Sequence, residues 1–335
     1  MKRILSACLV LLLCFSFAGC NPSNDDQTGK QESSSPSTTV TPSVYGIKGP
    51  TAVGLAHMMK DEAEAYKFQI VGSPDEIVGK ISTKEVDIAA IPTNLAATLY
   101  KKTDGEVLML AANTLGVLSI IENGNTIQSV ADLKGKTILS SGQGANPEYI
   151  LKYILQKNGI DPEKDVTIQF VDDNDTLSAQ LLASATGTVA MVPQPAATAA
   201  LVKAGQQNIP LTKVLDVNTE WNKVATADSL IMGCMVVRKT FAEENPDAVA
   251  KFLEDYRKSI AQVTEDLDST AALCAEYEIV PSEAIAKQAI PQCNITYIAG
   301  ADMQKAIEPY FQILFEANPT SIGGAVPDAA FYYTK

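Results

Sequence analysis

Residues 85–96 read EVDIAAIPTNLA and predict a buried β-strand that runs directly into an α-helix. Residues 86–91 are apolar except for Asp87, which is typical of a strand covered on both faces in a parallel sheet. The Pro-Thr-Asn turn at 92–94 ends the strand and supplies cap residues for a helix at 95–101. The segment therefore indicates an α/β protein in which strands and helices alternate.

The same alternation extends to both sides of this segment. Further short apolar runs bounded by turn residues predict strands at 44–48, 67–71, 107–112, 137–140, 166–171 and 189–192. Two extended segments, 115–121 and 230–237, are placed to cross between two similar halves. Amphipathic helices follow at 247–264 and 303–315. The prediction is an α/β fold of two lobes, each a mostly parallel sheet flanked by helices, with C-terminal helices.

Four strand-to-helix turns are rich in glycine, proline and small polar residues. They lie at 48–52, 91–94, 140–146 and 193–195. Ligands of open α/β sheets bind beyond the carboxyl ends of the strands, where helix N-termini offer unpaired N–H groups. Two lobes with such turns facing each other would enclose a ligand cleft.

The composition excludes several classes of function. The 335-residue chain has a formal net charge of −13, which disfavours nucleic acid and anionic lipid as partners. His57 is the only histidine, so most catalytic triads and multi-histidine metal sites are removed from consideration. We expect His57 to pack against the core or to lie on the surface rather than to act in a site. Outside the N-terminal region, Cys234, Cys274 and Cys293 form either one disulfide plus a thiol or three reduced thiols.

The first residues read as an export signal. Lys2 and Arg3 precede an apolar run at 4–18, which is too short to span a bilayer that needs about 20 apolar residues. Residues 1–19 are therefore predicted to be a signal peptide.

The last residues of this signal peptide also indicate lipidation. Residues 17–20, Phe-Ala-Gly-Cys, resemble a bacterial lipobox, in which Cys20 is acylated and becomes the new N-terminus. The alternative is a simple signal peptide cleaved elsewhere. The polar stretch that follows buries too little apolar surface to fold, so residues 20–43 are predicted to be the lipidated cysteine and a disordered tether.

Four segments carry a resemblance to the solute-binding proteins of ABC importers. They are GPTAVGLAHMM at 49–59, EVDIAAIPTNLA at 85–96, SVADLKGKTI at 129–138 and GANPEYIL at 144–151. More narrowly, the chain resembles the nitrate, sulfonate, taurine and thiamine-precursor binding group. This implies a type II periplasmic-binding-protein fold in which closure of the lobes clamps the ligand. It also implies lobe I at 44–115 plus 234–335 and lobe II at 116–233.

The resemblance further implies a function, partners and a site. The expected protein is a monomeric, lipid-anchored extracytoplasmic receptor at the bacterial cell membrane. It would pass a small organic anion or heterocycle to an ABC permease and its ATPase, without catalytic residues, metal or cofactor. Carried over by position, the ligand-binding residues are Gly49, Pro50, Thr51, Thr93, Asn94, Gly142, Gln143, Gly144, Ala145, Asn146 and Gln194.

The chain also departs from this family. Many relatives carry an acidic residue before the last cleft strand and Glu-Pro after it. Here residues 187–190 read GTVA and Gln194 precedes the proline, which makes cationic ligands less favoured.

Other functions stay open on the sequence. An enzyme on the same fold could act on a small heterocycle or carboxylate, although the chain lacks the cysteine-rich run and histidines of the pyrimidine synthases. An adhesion or scaffold lipoprotein would have no opening between its lobes. The ligand could be a small oxyanion such as a sulfonate, or a neutral heterocycle held by Asn94, Asn146 and Gln194. Trp221 could stack on an aromatic ligand or pack against the core.

Overall fold

The computed structural model describes residues 40–227 and 230–334. The predicted signal peptide at 1–19, the lipidation site Cys20 and most of the predicted tether lie outside the described residues. The first strand begins at Ser43, whose backbone N–H donates to Asp87 Oδ2 at 2.9 Å. The last residue of the predicted tether is therefore part of a sheet.

The described strands form two sheets. The first sheet has the order β11-β4-β10-β3-β1-β2 and the second has the order β7-β6-β8-β5-β9. The strand bounds are β1 Ser43–Ile47, β2 Lys67–Val71, β3 Ile88–Pro92, β4 Val107–Thr114, β5 Leu118–Asn123, β6 Thr137–Ser141, β7 Thr167–Val171, β8 Val189–Pro193, β9 Leu211–Asp216, β10 Gly233–Arg238 and β11 Ile295–Ala299. We call the first sheet with its helices the first lobe, and the second sheet with its helices the second lobe.

The two-lobed α/β fold is confirmed, and both sheets are mixed, because β10 and β11 in the first sheet and β5 in the second run against the remaining strands. In the first lobe β1, β2 and β3 are parallel, whereas β10 is antiparallel to both β3 and β4. In the second lobe β6 is parallel to β7 and β8, whereas β5 is antiparallel to β8 and β9. β5 and β10 are the strands that enter each sheet directly from the other lobe. They run in the opposite direction because no crossover helix turns the chain back before they pair.

The helices cover the sheets as the alternating pattern predicts. Their bounds are α1 Pro50–Val53, α2 Ala56–Asp61, α3 Pro74–Ser82, α4 Thr93–Lys102, α5 Asn146–Lys157, α6 Asn174–Leu182, α7 Ala196–Gln207, α8 Val217–Val224, α9 Lys239–Glu244, α10 Pro246–Glu265, α11 Leu267–Glu276, α12 Glu283–Ala289 and α13 Gly300–Ala317. The capping box predicted at Ser73 and Glu76 forms at the start of α3. Within the described ranges, no helix is long and apolar enough to cross a membrane.

Two helices differ from the sequence prediction. Helix formers run on through residues 52–59, but the helix breaks at Gly54, where a Cβ would lie only 2.8 Å from the Tyr256 hydroxyl oxygen of α10. The close approach of α10 therefore requires glycine there. The segment around Trp221 reads as a polar loop, yet it forms α8, whose first turn is capped by Asp216 accepting the Thr219 N–H at 3.0 Å.

An apolar core continues from one lobe into the other. The largest cluster includes Ile91 of the first sheet and Ile138 of the second. Trp221 on α8 connects the lobes, because its ring lies 4.9 Å from that of Tyr153 on α5 and 5.7 Å from that of Tyr310 on α13. Such aromatic pairs contribute about 0.5–1.5 kcal/mol each beyond the area they bury.

Candidate functional site

A cavity of about 890 Å³ lies between the two lobes. This volume is in the range of small-molecule sites, roughly 300–1,000 Å³. The first lobe contributes the residues after β1 and β2 and the loop after α11, and the second lobe contributes one face of α6 and one face of α7. The lining residues used below are Lys48, Gly49, Asp173, Asn174, Asp175, Pro195, Ala199, Lys203, Glu278 and Ile279.

The turn after β1 forms one wall of this cavity. Gly49 has φ +117°, a backbone conformation that residues with a Cβ rarely adopt. Its N–H donates to the Ile279 carbonyl at 2.9 Å, so the turn is held against the loop after α11. Lys48 Nζ lies 2.8 Å from Glu278 Oε2 across the same contact. The wall is therefore built from two segments that are far apart in the sequence.

The cavity carries charges of both signs. The Lys48–Glu278 pair is exposed and adds little stability, although the hydrogen bond from the lysine ammonium lowers the pKa of Glu278. Asp173 caps α6 by accepting the Thr176 N–H at 2.7 Å, and this hydrogen bond lowers the pKa of Asp173. Among the described residues, Lys203 lies within 4.0 Å of no carboxylate oxygen. Its ammonium is thus available to an anion.

Three predicted site residues meet where the lobes touch. Asn146 Nδ2 donates to Thr93 Oγ1 and to the Met232 carbonyl, both at 3.4 Å. Thr93, Asn94 and Asn146 are all buried, and the side-chain oxygens of both asparagines are enclosed without a hydrogen-bond partner. The turns at 93–94 and 146 therefore meet, and they form a closed seam rather than an open wall. We call this contact the interlobe seam.

The remaining predicted site residues are dispersed. Gly49 lines the cavity, whereas Pro50 and Thr51 lie half-buried in α1 behind it. Gln194 is buried and caps α7, because its Oε1 accepts from the Thr198 hydroxyl at 2.7 Å and from the Thr198 N–H at 3.3 Å. The loop residues before α5 are partly or fully exposed and do not line the cavity: Gly142, Gln143, Gly144 and Ala145.

Sequence reasoning missed much of the cavity wall. Lys203 lies on α7, one turn from the helix C-terminus, where a lysine is an ordinary surface residue. The loop after α11 comes from a part of the chain with no recognisable motif. Residues 172–175 read DDND, an acidic turn at the start of α6, and the structure places Asp173, Asn174 and Asp175 in the cavity wall.

Other residues singled out by the sequence have structural roles. Trp221 is fully buried between two tyrosines, which places it in the core rather than on a ligand. His57 is buried, and its Nε2 lies 2.8 Å from Thr270 Oγ1. Cys234, Cys274 and Cys293 are free and buried, and burial raises the pKa of each thiol. In the described part of the chain, no group of His, Cys, Asp or Glu side chains could hold a metal ion.

Comparison with known proteins agrees with this architecture. A family model for the periplasmic substrate-binding protein of phosphonate ABC transporters matches residues 55–281. A solved ABC transporter structure from Parabacteroides distasonis has a TM-score of 0.73 at 20% identity, covering 88% of this chain and 99% of that chain. No curated protein sequence matches the chain.

Two further similar structures are of proteins named for the ligand that they bind. The periplasmic aliphatic sulphonate-binding protein of Escherichia coli has a TM-score of 0.69 at 14% identity, covering 88% of this chain and 92% of that chain. The periplasmic nitrate-binding protein of Synechocystis has a TM-score of 0.56 at 14% identity, covering 86% and 82%. At such identities the likeness concerns the fold.

Proposed function

Because the chain belongs to the family of phosphonate ABC-transporter periplasmic substrate-binding proteins, we propose that it is a lipid-anchored extracytoplasmic receptor for a small organic anion. The observation that carries this proposal is the cavity of about 890 Å³ between the lobes. A compact scaffold or adhesion protein has no need of such a space. The phosphonate, sulphonate and nitrate ligands named for the family and for similar structures are all oxyanions.

The electrostatics of the cavity support an anionic ligand. Lys203 supplies an ammonium without a carboxylate partner in the described ranges, and α7 begins at the cavity with the positive end of its dipole. Two of the three carboxylates that line the cavity are already engaged, Glu278 with Lys48 and Asp173 with the start of α6. The third, Asp175, lies on α6 and not on α7, which carries Lys203. An oxyanion near α7 would therefore gain an ion pair without breaking one.

The interlobe seam supports closure around the ligand. The seam joins Thr93 of the first lobe to Asn146 of the second through two hydrogen bonds of 3.4 Å. Its asparagine oxygens are buried without partners, and water would satisfy them if the lobes separated. The closed form is then favoured only when contacts to the ligand outweigh this cost, as population-shift arithmetic requires.

The proposed partners follow from the same assignment. Cys20 would carry the lipid, and the polar residues that follow it would link the lipid to the first lobe. The receptor would then act as a monomer that delivers its ligand to a membrane permease coupled to an ATPase. Of the residues carried over from the family, Gly49 lines this cavity and remains a proposed ligand contact, and Lys203 joins it.

Thermal denaturation of the purified mature protein tests the ligand class. Methylphosphonate, ethanesulfonate, nitrate and an aminopyrimidine are added separately. A ligand at 100 times its Kd should add about 2.7 kcal/mol to the free energy of unfolding. Stabilisation by the aminopyrimidine alone would refute an anion receptor, and turnover of any probe would favour an enzyme.

A cavity-filling variant tests the location. Ala199 lies half-buried in the cavity wall on α7, so Ala199→Phe should abolish the stabilisation by the probe that binds. Gln206→Phe, at an exposed position of the same helix, is the matched control and should keep it. Equal stabilisation of both variants would place the ligand elsewhere.

A further inference from the structure

Asn113 joins the cavity wall to the sheet of the first lobe. It lies next to the last residue of β4 and is 1% exposed. Its Nδ2 donates to the Thr51 carbonyl at 3.0 Å, and its Oδ1 accepts from the Thr114 hydroxyl at 2.9 Å. Thr51 belongs to α1, two residues after Gly49 of the cavity wall. One buried amide thus determines where the turn after β1 sits relative to β4.

The packing around this amide leaves no slack. Gly233, the first residue of β10, pairs with Thr114 in the sheet. A Cβ on Gly233 would lie 2.6 Å from Thr51 Cγ2 and 2.7 Å from Asn113 Oδ1. Because there is no room even for a Cβ at Gly233, α1, β4 and β10 are closely packed at this point. A shift of one element therefore displaces the others.

Both connections between the lobes join the first lobe at the paired residues Thr114 and Gly233. The chain leaves the first lobe through residues 115–117, directly after Thr114, and residues 230–232 lead back into it directly before Gly233. Met232 N–H also donates to the Thr114 carbonyl at 2.9 Å. The Asn113 contact therefore lies between the two connections and the cavity wall.

We propose that Asn113 is a positioning residue for ligand binding, which holds the turn after β1 in a fixed place relative to both connections. The proposal rests on the proposed function, because it takes the cavity as the ligand site. Without the amide donor, the Thr51 carbonyl of the half-buried first turn of α1 loses this hydrogen bond, which favours movement of α1. Movement of α1 would also disturb the hydrogen bond from the Gly49 N–H to the Ile279 carbonyl, so this part of the cavity wall would no longer be held in place.

Hydrogen–deuterium exchange of the ligand-free mature protein tests the holding role. Asn113→Leu should speed exchange in residues 49–53 and 275–281. Asn123→Leu is the matched control, because Asn123 is also buried, donates to the Ser184 carbonyl at 2.8 Å and lies at the far end of β5. It should leave exchange in both segments unchanged. Unaltered exchange there in Asn113→Leu would overturn the proposal.

Calorimetric titration with methylphosphonate and ethanesulfonate tests the role in binding. Asn113→Leu should weaken the affinity about tenfold, the change that corresponds to one lost hydrogen bond. Asn123→Leu should retain the wild-type affinity. An equal loss of affinity in both variants would mean that Asn113 contributes to stability only, and would overturn the proposal. Unchanged affinity in Asn113→Leu would also overturn its role.

A milder variant covers the case in which Asn113→Leu does not fold. Thr114→Val removes only the hydroxyl that donates to Asn113 Oδ1, and it should show the same effects at smaller size. Wild-type exchange and affinity in Thr114→Val would then contradict the proposal. If the wild-type protein binds neither probe, the anion assignment fails, whereas the exchange experiment still decides whether Asn113 holds the wall.

Discussion

Gly233→Ala should destabilise the protein, whereas the same chemical change at Gly79 should stabilise it. A Cβ at position 233 would lie 2.6 Å from Thr51 Cγ2 and 2.7 Å from Asn113 Oδ1, both closer than real contacts. β10 cannot move away, because it is paired with β3 on one side and β4 on the other. Overpacking of this kind costs about 1–3 kcal/mol.

Gly79 provides the control because its surroundings are the opposite. It lies exposed inside α3, and a Cβ there would meet no atom within 4 Å. Alanine is favoured over glycine in a helix interior by about 0.8–1.0 kcal/mol. The two variants should therefore differ by about 2–4 kcal/mol in the free energy of unfolding.

Urea denaturation followed by tryptophan fluorescence measures this difference. Trp221 is the only tryptophan and is fully buried, so its emission reports unfolding of the core. The wild-type protein and both variants are compared at the same pH and salt. If Gly233→Ala unfolds within about 0.5 kcal/mol of the wild type, a range usual for harmless surface changes, the tight contact among α1, β4 and β10 is refuted.

Three further predictions follow from the buried groups and the N-terminus. Burial lowers the pKa of His57, although the nearby carboxylates of Asp61 and Asp266 act to raise it. The imidazole of the unfolded chain therefore binds a proton more tightly than that of the folded protein. The free energy of unfolding should therefore fall as the pH drops from about 6.5 toward 5.5, and urea denaturation should show a smaller fall in His57→Gln. Trp221→Leu should cost about 3 kcal/mol in the same assay and Trp221→Phe less, because Phe keeps a ring while removing the indole N–H, which is buried without a partner. Cys20→Ala should move the protein from the membrane fraction to the soluble fraction, and retention on the membrane would contradict lipidation.

Local sequence signals predicted the elements of this fold well. The strand and turn of EVDIAAIPTNLA appear as β3 and the start of α4, and the capping box at Ser73 forms because its partners are three residues apart. Thr240 and Glu243 have the same spacing but form no capping box, because α9 begins at Lys239 and Thr240 lies inside it. Periodicity and capping predict an element reliably, but not its first residue.

The site was predicted less completely than the fold. Strand-to-helix turns identified Gly49 in the cavity wall and the residues that meet in the interlobe seam. Lys203 and Ile279 carry no local signal, since a surface lysine and an apolar loop residue are common in any sequence. They become part of a site only because α7 and the loop after α11 are brought to the same cavity.

The chain's own pattern determined the alternation of strands and helices, the two crossings and the cap residues, because each depends on neighbours within a few residues. The directions of β5 and β10, the closed seam at Asn146 and the walls of the cavity were decided only by the tertiary structure. The physical reason is that these features depend on contacts between segments up to 230 residues apart, such as Lys48 with Glu278. Such contacts leave no period or motif in the sequence.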